Sequence, residues 1–356
     1  MPKTAAKKLI KKPIKKPSGA QNYSAGLLAW FDQNKRDLPW RNNRTPYSVW
    51  LAEIMLQQTT VATVKDYYKR FLKAFPTVAD LAAAPLEDVL HLWQGLGYYS
   101  RARNLHKCAI TVVQEHGGHF PNFAAGLIKL PGIGPYTSAA IASIAFDEPA
   151  PVVDGNVERV ISRLFAITEP LPSSKPIIQQ YAAHLTPKEH AGDYAEAMMD
   201  LGATVCTPTS PKCLLCPLSE LCQARKKGIE TELPKKTPKA KRPEKAGTAY
   251  CFITPDKQVL VRRRPQTGLL AQLWEVPHKG WEERPLPLEL TVGTESANGQ
   301  IIHVFTHFKL TLDVKTIQLS EKPNAEHGEW VPIDKLSTKP FPTLMKKVLS
   351  QAGLLA

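Results

Sequence analysis

At Arg225 the apolar spacing of the chain changes, and that change separates two kinds of fold. Residues 225–245, RKKGIETELPKKTPKAKRPEK, hold nine Lys or Arg and three Pro with almost no apolar content. Such a composition reads as an extended linker. Before it, from Tyr23 to about Ala224, apolar residues recur every three or four positions. YSAGLLAWFDQN, SVWLAEIMLQQTTVATVKDYYKRFLKAF, PLEDVLHLWQGL, SRARNLHKCAITVVQEHG, TSAAIASIAF and NVERVISRLFAI each predict a helix, with Pro and Gly turns between them. After the linker the period becomes two. TAYCFIT, QVLVRRR and HFKLTLDV predict strands, and a last helix is expected around Thr343–Ser350. The expected plan is a basic tail over 1–20, an all-α domain over 21–224, the linker over 225–246 and an α/β domain over 247–356.

Charge narrows the partner. The chain carries 46 Lys+Arg against 32 Asp+Glu, a formal net charge of +14, which suits a polyanion, with nucleic acid ahead of an anionic membrane surface. No run of eighteen uncharged apolar residues exists to span a bilayer. Seven lysines and no acid in the first sixteen residues read as a solvated tail, without the apolar stretch of a secretion signal.

Four of the six cysteines, Cys206, Cys213, Cys216 and Cys222, are spaced C-x6-C-x2-C-x5-C. Thiolates this close in sequence can fold around one centre, and spacing alone leaves zinc and an iron–sulfur cluster equally open. Disulfides are disfavoured, because nothing points to secretion. Cys108 and Cys251 read as buried thiols.

Two carboxyls stand out. In VWLAEIMLQQT, Glu53 has Val49, Trp50, Leu56 and Gln57 at helical spacing, so it lies on a largely apolar face where the neutral acid is favoured. In PVVDGNVERVI, Asp154 immediately precedes a helix. It reads as an N-cap, held as the anion by the helix dipole. One neutral and one ionised carboxyl are what cleavage of a glycosidic bond requires. Between them, LPGIGPYTSAAI places Gly132 and Gly134 in a tight turn before a helix, an arrangement whose backbone N–H groups can hold a phosphate.

The L-P-G-I-G hairpin, the aspartate about twenty residues later and the four-cysteine loop together resemble the helix-hairpin-helix base-excision glycosylase superfamily. WLAEIMLQQT, GLGYYSRARNL and VVDGNVERV narrow the resemblance to the adenine DNA glycosylase (MutY) family, over nearly the whole chain from Tyr23 onward. It implies a fold of an all-α helix-hairpin-helix core with an iron–sulfur loop, followed by a Nudix-like 8-oxoguanine recognition domain. It implies one [4Fe-4S] cluster on the four cysteines. The implied partner is double-stranded DNA carrying adenine opposite 8-oxoguanine or guanine, met by a monomer: cytoplasmic at the nucleoid in a bacterium, nuclear in a eukaryote. By resemblance Glu53 is the general acid, Asp154 the stabiliser or nucleophile of the sugar cation, and Tyr136 and Asn156 position them. Gln58 and Tyr98 resemble the family's wedges, and Trp40, Arg41 and Glu196 its pocket wall. Leu56, Thr59, Arg101, Gly132, Gly134 and Thr137 are expected at the DNA. Relatives that cleave the backbone carry a lysine at the hairpin position of Tyr136, so no strong lyase activity is expected, with Lys129 the nearest amine. VFTHFKL matches the family's Phe-Ser-His loop through Phe305 and His307, with Thr306 in place of serine. No R-E-x-x-E-E run follows a glycine at Nudix-box distance, so metal-dependent pyrophosphate hydrolysis is not expected.

Overall fold

The computed structural model describes residues 20–238, 241–282, 286, 293–324 and 328–355; nearly all of the expected basic tail lies outside them. The helices are α1 (Ala20–Asn34), α2 (Pro46–Leu56), α3 (Val61–Ala74), α4 (Val78–Ala83), α5 (Leu86–Leu92), α6 (Ser100–His116), α7 (Ala124–Leu127), α8 (Pro135–Phe146), α9 (Gly155–Leu164), α10 (Lys175–Leu185), α11 (Ala191–Thr204), α12 (Gln223–Lys227) and α13 (Thr343–Gln351). The strands are β1 (Glu244–Ile253), β2 (Gln258–Arg263), β3 (Trp274–Glu275), β4 (His278–Lys279), β5 (Gly293–Val304), β6 (Lys309–Leu319) and β7 (Glu329–Pro332). No helix among the described residues is long and apolar enough to cross a membrane.

The long helix expected from Ser48 to Phe75 is two helices. α2 ends at Gln57, Gln58 turns into the left-handed region at φ 58, and the Thr60 side chain caps α3 by accepting from the Thr63 N–H. The polar run QQTT carries the break, because threonine competes with the helix for its own backbone donors.

Contacts divide the chain into two compact units. One contains the described residues up to Gln58 with Thr111–Pro238; the other contains Thr59–Ile110 with the described residues after Pro238. In the first, Leu27, Phe31, Trp50, Leu51, Met55, Ile141 and Ile161 form an all-helical core. In the second, Phe71 packs edge-on against Trp93 within the helices, and the remainder is a seven-stranded mixed sheet. Its order is β3-β2-β1-β6-β5, with β4 on β1 and β7 on β2. Period two is realised in β1. Ala249, Cys251 and Ile253 join the core on one face, which also takes in α13, while Tyr250 and Phe252 join the smaller core on the other.

β1 begins at Glu244, inside the expected linker, because β6 offers it a parallel partner from Glu244↔Lys309 onward. An ion pair of 3.1 Å joins the side chains of that first pair. β5 has no clear alternating signature and lies mostly exposed at the sheet edge.

Candidate active site

Every residue of α2 from Tyr47 to Met55 is buried, Glu53 among them at 5 % exposure. Thr45 caps the helix by accepting from the Ser48 N–H, with Pro46 in its first turn. The carboxyl of Glu53 has one close polar partner: Tyr136 donates its hydroxyl to Glu53 Oε2 at 2.6 Å. The hairpin delivers Tyr136. Gly132 turns at φ 76, a conformation that favours glycine, and Gly134 then opens α8 with no side-chain cap. Only Gly132 has a positive φ; Gly134 is extended and has open space where a Cβ would stand.

Burial pushes the Glu53 carboxyl up to about 7, reinforced by the nearby charges of Asp154 and Glu196 and opposed by the Tyr136 bond and Arg41. Moving from the ordinary 4.5 to about 7 represents roughly 3 kcal/mol in favour of the neutral acid. Burial, Glu53 and Asp154 together hold the Tyr136 phenol well above its usual range, so it stays a donor.

Asp154 is the N-cap of α9. Its Oδ1 accepts from the Val157 N–H at 2.8 Å and its Oδ2 from Asn156 Nδ2 at 2.8 Å. The expectation that the two acids shift in opposite directions needs correction. Desolvation outweighs these bonds and raises Asp154 too, above the usual 3.8. The two acids therefore differ in their hydrogen bonds rather than in the sign of their shifts. Arg159 holds Asn156 in turn, donating to its Oδ1 at 2.9 Å and to the carbonyls of Gly202 at 2.6 Å and Cys206 at 2.7 Å. A Cβ at Gly202 would stand 2.6 Å from Asn156 Cβ, so α11 can pass the start of α9 only with glycine here.

The pocket residues cluster on the same unit. Trp40 is buried at 6 %. Arg41 pairs with both Glu196, at 3.3 Å, and Asp200, at 2.7 Å, and Arg44 bonds Glu196 and Asp193. Asp193, Glu196 and Asp200 fall at positions i, i+3 and i+7 of α11, one acidic stripe. Sequence reasoning found only Glu196 of the three, although this spacing was readable.

Two residues expected at the DNA have buried side chains with partners inside the protein. Thr137 is 2 % exposed and accepts from Gln57 Nε2 at 3.2 Å. Arg101 is 8 % exposed; its Nη2 donates to Thr59 Oγ1 and the Leu96 carbonyl, and its guanidinium lies over Trp93. An arginine so enclosed braces the turn between Thr59 and Trp93. Leu56 and Thr59 are partly buried, whereas Gln58 and Tyr98 are exposed and both hold positive φ, 58° and 47°.

Tyr98, Phe305, Thr306 and His307 belong to the second unit, where they line a cleft of about 400 Å³ with Arg103 and His303. The Tyr98 and Thr306 hydroxyls are 3.2 Å apart. Phe305 packs on Phe308 and Trp281, while Thr306 and His307 are exposed.

The four cysteines line one cavity with Arg163. Among the described residues, no three of His, Cys, Asp or Glu are arranged to hold a single metal ion. Arg163 is 1 % exposed; it donates to Cys206 Sγ at 3.3 Å and to the carbonyls of Thr207, Pro208 and Leu233. Burial and the neighbouring sulfurs push the Cys216 thiol up to about 11. Thiols so placed ionise in the company of a metal centre and resist ionising without one. The donor set therefore fits an iron–sulfur cluster. Arg163 is a buried partner of the cysteine loop that sequence reasoning missed, its one signal being a charge on the buried face of α9.

Comparison with known proteins agrees region by region. Residues 51–187 match the HhH-GPD superfamily of base excision DNA repair proteins, residues 206–222 the iron–sulfur binding domain of endonuclease III, and residues 248–351 the NUDIX domain. The adenine DNA glycosylase of Homo sapiens is 39% identical over 92% of this chain and 73% of its own length. A solved thermostable thymine-DNA glycosylase is 32% identical at TM-score 0.54, covering 58% of this chain and 97% of its own. A trapped endonuclease III–DNA covalent intermediate, an estranged-adenine complex, is 29% identical at TM-score 0.50, over 59% and 98%.

Proposed function

Because the chain belongs to the adenine DNA glycosylase family of base excision repair, we propose that it hydrolyses the N-glycosidic bond of adenine opposite 8-oxoguanine or guanine in duplex DNA. The observation that carries the reading is the Glu53 carboxyl, buried, raised to about 7 and bonded by Tyr136, within the electrostatic reach of Asp154.

Adenine leaves the stack before its bond to the sugar can be reached. Glu53, protonated below about 7, gives its proton to N7 of the base, and the electrons of the C1′–N9 bond pass into the purine. The deoxyribose becomes an oxocarbenium ion beside Asp154, whose carboxylate Asn156 and the Val157 N–H orient. Water then adds at C1′ and gives up a proton to the carboxylate left at Glu53, which restores the acid and leaves free adenine and an abasic site. Tyr136 keeps Glu53 aimed while itself staying protonated.

Trp40, Arg41 and Glu196 form the wall for the extruded base. Gly132, Gly134 and the uncapped start of α8 receive a backbone phosphate. Gln58 and Tyr98, each exposed at a strained backbone position in its own unit, are the wedge residues of this reading. Thr306 keeps the hydroxyl of the family serine and approaches Tyr98 at 3.2 Å, so it can offer the 8-oxoguanine strand a hydrogen bond. Cys206, Cys213, Cys216 and Cys222 would hold a [4Fe-4S] cluster that would brace the loop after α11, with Arg163 donating to Cys206 Sγ beside it. The chain acts as a monomer and as a glycosylase alone, since the hairpin offers Tyr136 where a lyase needs an amine.

The test is a strand-labelled duplex with one 8-oxoguanine·adenine pair. Breakage at the adenine only after alkali is the expected result. Breakage without alkali would assign a lyase, and an intact strand under both conditions would contradict the reading.

A further inference from the structure

Arg41 reaches the pocket from a loop, yet its guanidinium is fixed on three sides. Nη1 donates to Asp200 Oδ2 at 2.7 Å and to the Arg36 carbonyl at 3.0 Å, and Nη2 donates to Asp200 Oδ1 at 2.8 Å. The plane lies 5.4 Å above the Phe31 ring. Asp200 also accepts from the Arg36 N–H at 3.0 Å and from Arg36 Nε at 2.6 Å, so a fully buried carboxylate takes four bonds from two arginines of one loop. With Nη1 and one N–H of Nη2 turned to these acceptors, Nε faces Glu196 Oε1 at 3.3 Å, close enough for an ion pair but without hydrogen-bond geometry.

We infer that Asp200 is a positioning residue for adenine excision: through its two-toothed hold on Arg41 it fixes where Arg41 meets Glu196 in the base pocket. The inference rests on the proposed roles of Glu53 and Glu196. Asp200 stands one helical turn behind Glu196 on α11 and touches Arg36 and Arg41 rather than the reacting acids. Its reach to the chemistry runs through Arg41, whose charge Glu53 feels, together with Tyr136, Asp154 and Glu196. Glu196 in turn is held by Arg44 from its other oxygen. A bidentate carboxylate is suited to this task, because it sets an angle as well as a distance.

Asp200→Asn keeps the shape but turns an amide N–H toward a guanidinium N–H, which rotates Arg41. Single-turnover excision on the 8-oxoguanine·adenine duplex is expected to slow by about ten- to a hundredfold, with duplex affinity unchanged and correct folding checked by circular dichroism. Adding Asp200→Asn to Arg41→Met should cost nothing further. Loss of melting temperature with a normal rate, or equal slowing in both backgrounds, would overturn the inference. If Asp200→Asn does not fold, Arg36→Gln frees half of the clamp and should slow excision in the wild type but not in Arg41→Met; a normal rate there would also overturn it. An active Glu53→Gln would instead remove the parent reading.

Discussion

Glu53→Gln is expected to stop adenine release, lowering the single-turnover rate by about a hundred- to ten-thousandfold, the range of a positioned general acid, while duplex affinity stays within twofold. The substitution keeps size and keeps an oxygen to accept from Tyr136, so α2 and the pocket survive; what it deletes is the proton. The size of the effect follows from the site. The carboxyl is almost closed to water and is poised at about 7, where donor and leaving group are matched near neutral pH. Binding is spared because Glu53 faces the pocket and makes no phosphate contact in this account. Excision within a few-fold of wild type would remove Glu53 from the reaction; lost affinity would recast it as structural.

Asp154→Asn is expected to slow excision by about a hundred- to a thousandfold, the loss seen when one preorganised charge is withdrawn from a developing ion. Asparagine is as good an N-cap as aspartate, so the bond from the Val157 N–H can persist and the melting temperature should stay within a few degrees. The negative charge alone is lost, and with it the partner of the sugar cation. Affinity for duplex should hold or rise slightly, since one repulsion toward the phosphates is gone. A rate near wild type with a large drop in melting temperature would leave Asp154 as a helix cap only.

Some of this was legible in the sequence, for local reasons. Glu53 shows itself because a charge inside an apolar helical run breaks its pattern, and the cysteines because metal spacing is short-range. The strands of the second unit were readable where side chains alternate, as in β6, and unreadable in β5, an edge strand with no such alternation. Burial was the harder quantity. Nothing in GLGYYSRARNL tells Arg101, enclosed against Trp93, from Arg103, whose Nη1 reaches the Ala271 carbonyl. The cap at Asp154 was a local inference; the desolvation that outweighs its hydrogen bonds comes from packing. Arg163, Arg159 and Asp200 escaped for the same reason, as each acts through partners more than forty residues away.

The central claim is that Glu53 enters the reaction still holding its proton. The titration of that carboxyl tests it most directly, followed in the free protein by infrared difference spectra of wild type against Glu53→Gln. A protonated-carboxyl band that is present at pH 6, half lost near pH 7 and absent in the variant is the predicted result. A band already gone by pH 6, with its midpoint near the ordinary 4.5, would contradict the account.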